Sequence, residues 1–451
     1  MTAAQPLTTR LCIGYGIGTI GISILLNTIT TFFPTLMATV LGQSTALAGL
    51  LLTGSKLYDM VADMVIGTAS DGTKSRWGRR KPYMLAGAII SVASLLMIFL
   101  PPQIVGTALI LYMALALVIY STGYSLFAIP YIAMAGEMTD DYHERTRLFS
   151  YRVFCLSVGQ VLAVAGVAAL IEIGGGGRSG YALMGGAMAA LVGISMGLCL
   201  IGVRTARAVD RVVAPLDMPL ARRMALIVSN RPLVKLMGAK LLQYISIAVF
   251  SGVKVLFMLN VLGVGYAGII HLALAQNIAG AVSTPIWAML GRRLGKRNTY
   301  LIGVVILTLT YLSWGLAEKG ISNPEIWWRG ALAGIGGTGM VLMSISMLPD
   351  VMEYDRIRSG GLRREGVFSS FYAIVEKFGY AIGPAISGMM LAIAGYVPTT
   401  NGALIVQSAE VVRGLYMVAA LIPSSLLVFS GILIWRYELT EAKLRATRAV
   451  A

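Results

Sequence analysis

Apolar residues run along this chain in long blocks that short charged or glycine-rich segments interrupt. Twelve blocks can be drawn, at 11–37, 45–69, 83–101, 104–137, 148–173, 180–203, 233–262, 265–290, 299–317, 325–354, 367–396 and 409–436. A helix needs about 20 apolar residues to cross a hydrocarbon layer of about 30 Å. Several blocks exceed that length, which implies tilt or extension beyond the layer. The pattern predicts an all-α membrane protein of about twelve transmembrane helices.

The polar residues between blocks are not evenly distributed. The segments at 70–82, 204–232, 291–298 and 355–366 are rich in Lys and Arg, whereas those near 39–44, 102–103 and 263–264 carry no charge. Only Arg178 marks the loop near 174–180. Cytoplasmic loops carry the basic excess, so the basic segments and both termini are expected inside. GRRKPYMLAG at 78–87 recurs weakly as GKRNTYLIG at 295–303, and PYIAMAGEMTDDYHERTRLFSYR as LPDVMEYDRIRSGGLRREGVFSSFY, about 215 residues on. Two six-helix halves follow, 1–203 and 233–436, joined by a cytoplasmic linker at 204–232 and followed by a tail at 437–451. Paired halves around a central site are a common transporter plan.

Composition agrees. The 451 residues are 57% hydrophobic and 12% charged, and the mean hydropathy is +0.78. A soluble chain carries roughly twice that charge. The net charge of +16 sits in alternate loops, which fits membrane orientation and excludes nucleic acid as a partner. Cys12, Cys155 and Cys199 lie in apolar runs with no metal or disulfide spacing. There is no HExxH, paired His or phosphate loop, and the tetraglycine at 174–177 lacks a P-loop Lys. An enzyme is not expected, nor a cofactor beyond a co-transported ion. The apolar stretch after MTAAQPLTTR is too long for a signal peptide and is expected to be retained.

The chemistry concentrates at KLYDMVADMVIGTASDGTKSRWGRRKP, residues 56–82. On a helix, Asp59 and Asp63 share one face a turn apart, with Lys56 one turn earlier. At about 1.5 Å per residue, Asp63 lies roughly 12 Å and Asp59 roughly 18 Å from the loop that starts near Asp71. That depth brackets the midplane, where each charge costs at least about 2.5–3.5 kcal/mol. Two like charges there make sense if a cation or proton sits between them. The bland alternative is a buried ion pair neutralised by Lys56. Elsewhere, Ser23 and Asn27 share a face of the first span, though such residues more often join helices than bind ligands. Lys240, Gln243, Tyr244 and Lys254 punctuate the seventh span, where Lys254 pairs with a carboxylate or attracts an acidic substrate. His271 and Asn277 in the eighth are assigned to packing, and Glu376 and Lys377 stand in the eleventh.

The run Lys56, Asp59, Asp63, Gly67, Asp71 and RWGRRKP resembles the glycoside–pentoside–hexuronide:cation symporters, the melibiose permease group of the major facilitator superfamily. Pro130-Tyr131, Glu137 and Glu144-Arg145-Thr146 match a second signature. The resemblance implies the major facilitator fold, in a bacterial inner membrane, as a monomer. It implies a cation site at Asp59, Asp63 and Ser125, for H⁺ or Na⁺, with Lys377 near the aspartates. The cytoplasmic gate or loop motif is expected at Asp71, Arg76, Gly78, Arg79, Arg80, Glu137 and Arg145, and the charged turn at 137–145 is either a solvated loop or a salt-bridge cluster with Arg79 or Arg80 that holds helices together on the inside face. Ala62 replaces an asparagine and Met64 a proline, which weakens a sodium cage, since a hard cation wants several oxygens. The sugar site departs further. Ser23 and Ala128 stand where galactoside carriers have aspartates, and Ile132 replaces an aromatic residue. Arg152 falls at a substrate-contacting arginine, with Gln160 two turns deeper and Gln243 and Lys254 as further candidates. Arg152, Lys254 and Lys377 are all basic, which points to an acidic sugar such as a hexuronide. The alternative is a lysolipid or other amphiphile. The implied mechanism is alternating access: the cation neutralises Asp59 and Asp63, releases Lys377 and favours substrate binding.

Overall fold

A computed structural model describes residues 7–73, 75–139, 142–204, 229–359 and 365–439. Among them the chain forms twelve helices and no strand longer than a single bridge. In order these are α1 (Thr9–Val40), α2 (Thr45–Gly72), α3 (Lys81–Phe99), α4 (Thr107–Met138), α5 (Tyr142–Val161, continuing through a π turn into Val167–Ile173) and α6 (Gly177–Gly202). The second set is α7 (Arg231–Leu262), α8 (Gly265–Leu294), α9 (Lys296–Trp314), α10 (Asn323–Arg358), α11 (Glu365–Ile393) and α12 (Ala409–Trp435). Nine of these are long and apolar enough to cross a membrane; α2, α9 and α11 are more polar.

Local chemistry sets the ends. The Ser44 side chain accepts from Leu47 N and starts α2. Asn230 caps α7 just ahead of Pro232, where a missing N–H costs nothing. Gly295, at φ +80, separates α8 from α9; a residue with a Cβ is strained there. Apolar side chains satisfy no backbone group, so in hydrocarbon the backbone must bond along its own helix, except where Pro34, Pro130, Pro285, Pro349 and Pro384 each remove an N–H inside a helix.

The chain divides into two compact units: Met1–Ala214 with Pro398–Ile405, and Pro215–Val397 with Val406–Ala451. In the first, α1 packs on α5 and α6, α3 on α4 and α6, and α2 on α4. In the second, α7 packs on α11 and α12, α9 on α10 and α12, and α8 on α10. The two packing schemes are the same, helix for helix. Lengths repeat as well: α1 and α7 each have 32 residues, and both end in a five-residue π turn. α3 and α9 each have 19 residues.

The segment 398–405 belongs to the first unit because it caps α1. Thr399, Asn401 and Gly402 donate their N–H groups to the carbonyls of Ala38, Val40 and Thr39, at 2.8, 3.0 and 2.9 Å. These are carbonyls of the last turn, which no helical N–H reaches.

Candidate functional site

α2 and α4 carry the first charged cluster. They run parallel with a constant offset. Ser55 Oγ lies 2.8 Å from Ser121 Oγ, and Ser125 Oγ donates to Asp59 Oδ1 at 2.9 Å, each pair 66 residues apart. The register follows from small and hydroxyl residues on facing stripes, Ser55 and Asp59 on one helix and Ser121 and Ser125 on the other, which let the backbones approach. The same offset sets Ala62 opposite Ala128, and both are buried.

Asp59 lies near the middle of the 28-residue α2, about 20 Å from either end. It is 3% exposed, and Ser125 is fully buried. Lys56 is also buried; its ammonium donates to the Tyr120 hydroxyl at 3.3 Å and lies 5.1 and 5.5 Å from the Tyr120 and Tyr124 ring centroids. Asp63 is half-buried one turn on. The arrangement is a buried carboxylate with a hydroxyl donor, a second carboxylate beside it, and a lysine held on aromatic faces. Carboxylate and hydroxyl oxygens of this kind are the donor types a proton or a hard cation takes.

Other candidates are placed as follows. Ser23 is buried, with its Oγ 3.4 Å from the Leu156 carbonyl, and Asn27 donates to Ser23 at 2.9 Å on its carbonyl. Arg152 is half-buried, with its guanidinium 6.0 Å from the Tyr131 ring and 5.7 Å from that of Phe149. Gln160 is half-buried and Ile132 exposed. In the second unit, Gln243 is buried and accepts from the Tyr300 hydroxyl at 3.1 Å. Lys254 is half-buried on α7 and Lys377 half-buried on α11. His271 bonds Asn323, and Asn277 donates back to Ala273.

At the loop motif, Arg80 is buried, pairs with Asp71 and donates to Ser70 Oγ at 2.7 Å. Arg76 and Gly78 are exposed, and Arg79 is half-buried. Glu144 accepts from Leu7 N at 2.7 Å and from Thr139 Oγ1 at 2.8 Å, so it ties the chain start to α5. The side chains of Glu137, His143 and Arg145 lie outside the described residues, as do Lys74, Asp140, Asp141, most of 204–232, Arg363, Arg364 and the tail from 440.

Three features escaped the sequence reading. The aromatic faces under Lys56 are one. Tyr120 and Tyr124 are spaced like Ser121 and Ser125, and that doubled four-residue spacing was the available signal. Another is the stacked pair of Tyr15 and Tyr131, 4.3 Å apart, whose Tyr131 hydroxyl bonds Thr19 at 2.6 Å. The last is an ion pair between Lys240 and Glu376, at 2.9 Å.

Residues 14–441 match the family described as MFS/sugar transport protein. The chain belongs to that family. Its relatives place it among the glycoside–pentoside–hexuronide:cation symporters. It is 27% identical to the glucuronide carrier protein homolog of Escherichia coli K12, over 98% of this chain and 95% of that one. It is 26% identical to the isoprimeverose transporter of Lactiplantibacillus pentosus, over 89% and 83%. The nucleoside transporter NupG shares the fold, with a TM-score of 0.65 at 15% identity over 95% of this chain and 100% of that one. This is therefore a multi-pass membrane transporter for a small molecule, and not an enzyme.

Proposed function

We propose that this transporter is a symporter of the bacterial inner membrane that couples H⁺ or Na⁺ to uptake of a sugar, glycoside or hexuronide by alternating access. The observation that carries the reading is the buried Asp59 in mid-helix, bonded to Ser125 with Asp63 a turn away. Ionisable residues at such depth mark ion and substrate pathways. The names of the relatives, a glucuronide carrier homolog and an isoprimeverose transporter, support a sugar as cargo. A hexuronide carboxylate has a basic partner available in Arg152, half-buried on α5. Na⁺ would use Asp59, Asp63 and Ser125 and would need further oxygens, because Ala62 supplies none. H⁺ needs one carboxylate.

Coupling is reciprocal: a substrate that tightens ion binding is itself bound tighter by the ion, by the same factor. The test is uptake into membrane vesicles under an imposed H⁺ or Na⁺ gradient, across a panel of glycosides and hexuronides. Wild type accumulates one of them, and Asp63→Asn does not. Accumulation by Asp63→Asn at the wild-type rate overturns the reading. Silence of wild type across the panel moves the cargo to a lysolipid or other amphiphile.

A further inference from the structure

Among the described residues, α7 is the most enclosed of the nine apolar spans. From Gln243 to Leu259 all of it is buried except Ile247, Ser251 and Lys254, which are half-buried. Their spacings of four and three put them on one face. Neighbouring helices cover the rest. Gly379 and Gly383 of α11 pack against Tyr244 and Ala248. Ser246 donates to the Pro423 carbonyl of α12 at 2.9 Å. Phe250 and Phe257 meet Trp314 of α9, with ring centroids 6.3 and 6.1 Å apart. The stripe of Ile247, Ser251 and Lys254 lies outside all three contacts.

Lys254 brings an ammonium to that stripe without a protein partner. Among the described residues no carboxylate, hydroxyl or carbonyl accepts from it, and no aromatic ring lies under it. Lys240 and Lys296 of the same unit are instead paired, with Glu376 and Asp350, at 2.9 and 2.7 Å. Glu325 is held by Arg329 and Glu353 by Arg356. Lys254 stands before the end of α7 at Leu262 by about 12 Å. Helical side chains lean toward the N-terminus, here away from that end, so a four-carbon stem does not carry the ammonium out to the interface. A charge at such depth with neither partner nor water is costly. Whatever satisfies it enters along the open face of α7: water, or an anionic group of the cargo.

We infer that Lys254 is an anchor in the second unit for the carboxylate of the transported sugar, on a face it shares with Ser251. This rests on the symport reading and narrows its cargo to a hexuronide. One ammonium balances one carboxylate. A phosphate carries close to two negative charges at neutral pH and calls for a second cation, which the stripe does not hold.

Two measurements on the full-length protein in detergent test it, in Na⁺-containing buffer at neutral pH and without an ion gradient. In the first, thermal unfolding reports binding of matched pairs: methyl β-glucoside with methyl β-glucuronide, and methyl β-galactoside with methyl β-galacturonide. Wild type is expected to prefer the uronide of one pair. Lys254→Gln is expected to lose about tenfold or more in uronide affinity, as when a charge-assisted bond is removed, while Lys254→Arg keeps the preference. Equal uronide affinity in wild type and Lys254→Gln, or a wild-type preference for the neutral member, overturns the assignment and leaves symport standing. In the second, Ser251→Cys, with Cys12, Cys155 and Cys199 changed to Ala, is labelled by an anionic and then a cationic methanethiosulfonate. The anionic reagent is expected to react faster, and adding Lys254→Gln to abolish the difference. Equal rates, or no reaction with either reagent, overturn the assignment whatever the cargo. A wild type that binds neither pair but keeps the anionic preference overturns the sugar reading, and the hexuronide with it. Size-exclusion profiles confirm that each variant is folded before it is measured.

Discussion

Ser125→Ala tests the proposed cation site and separates the two candidate ions in one experiment. The change removes a single oxygen, one that donates to Asp59 Oδ1 at 2.9 Å between two buried side chains. Hydrogen bonds to charged groups are worth about 1.5–3 kcal/mol. At 1.36 kcal/mol per factor of ten, the loss corresponds to about 10–150-fold in an equilibrium constant. The sign depends on the ion. The hydroxyl favours the ionised carboxylate. Without it, an H⁺-coupled carrier changes the pH dependence of its uptake, with or without Na⁺. A Na⁺-coupled carrier instead loses an oxygen ligand, and its half-saturating Na⁺ concentration rises by about 10–150-fold. Initial uptake rates in proteoliposomes are measured against pH without Na⁺, and against Na⁺ at fixed pH. If both curves match wild type, Asp59 and Ser125 do not bind the coupling ion.

The remaining predictions concern the packing that holds the site and its lysine. Tyr120→Phe keeps the ring under Lys56 and loses a hydroxyl bonded at 3.3 and 3.4 Å, so uptake is expected to survive; Tyr120→Ala removes a cation–π contact worth about 2 kcal/mol when desolvated and is expected to lose uptake. Gly334 of α10 sits where a Cβ would overlap the Gln276 carbonyl of α8, whereas a Cβ at Gly337 meets nothing within 4 Å. Gly334→Ala is therefore expected to lower thermal stability by about 1–3 kcal/mol, as overpacking does, and Gly337→Ala to leave it unchanged or slightly raised, read by thermal unfolding in detergent.

Much of this arrangement was legible in the chain, for reasons that differ by residue. The helices were legible because hydrocarbon leaves the backbone few alternatives. α1 and α7 exceed their expected spans, 11–37 and 233–262, at one or both ends; at its C-terminal end α1 runs on to Val40 through a π turn, a feature that apolar pattern does not encode. Asp59 and Asp63 stood out as charges at mid-span. Ser125 came from the family resemblance, and the 66-residue register with Asp59 is a tertiary fact. The Lys240–Glu376 pair was missed although both residues were noted. They lie 136 positions apart, and the rule that opposite charges in hydrocarbon seek each other was applied to their neighbour Lys377 instead. Sequence shows that partners are needed; only the packing of α7 on α11 shows which one is chosen.

The placement of the charges explains why two of the three more polar helices are not self-sufficient spans. α2 carries Lys56, Asp59 and Asp63, and α11 carries Glu376 and Lys377. A helix with buried charge is poorly stabilised by lipid alone, so its neighbour must supply the polar groups that water would have supplied. α4 does this for α2, with Tyr120, Tyr124 and Ser125 on one stripe of an otherwise apolar helix. α7 does it for α11, with Lys240 paired to Glu376 at 2.9 Å. In both cases a lysine rests on two tyrosine rings within reach of a carboxylate-bearing helix. Aromatic faces stabilise a cation without competing for the carboxylate's proton or ion. Asp59, Asp63 and Glu376 are thus carried by helices whose neighbours supply the polar and aromatic contacts that lipid does not, and the same solution recurs in both units.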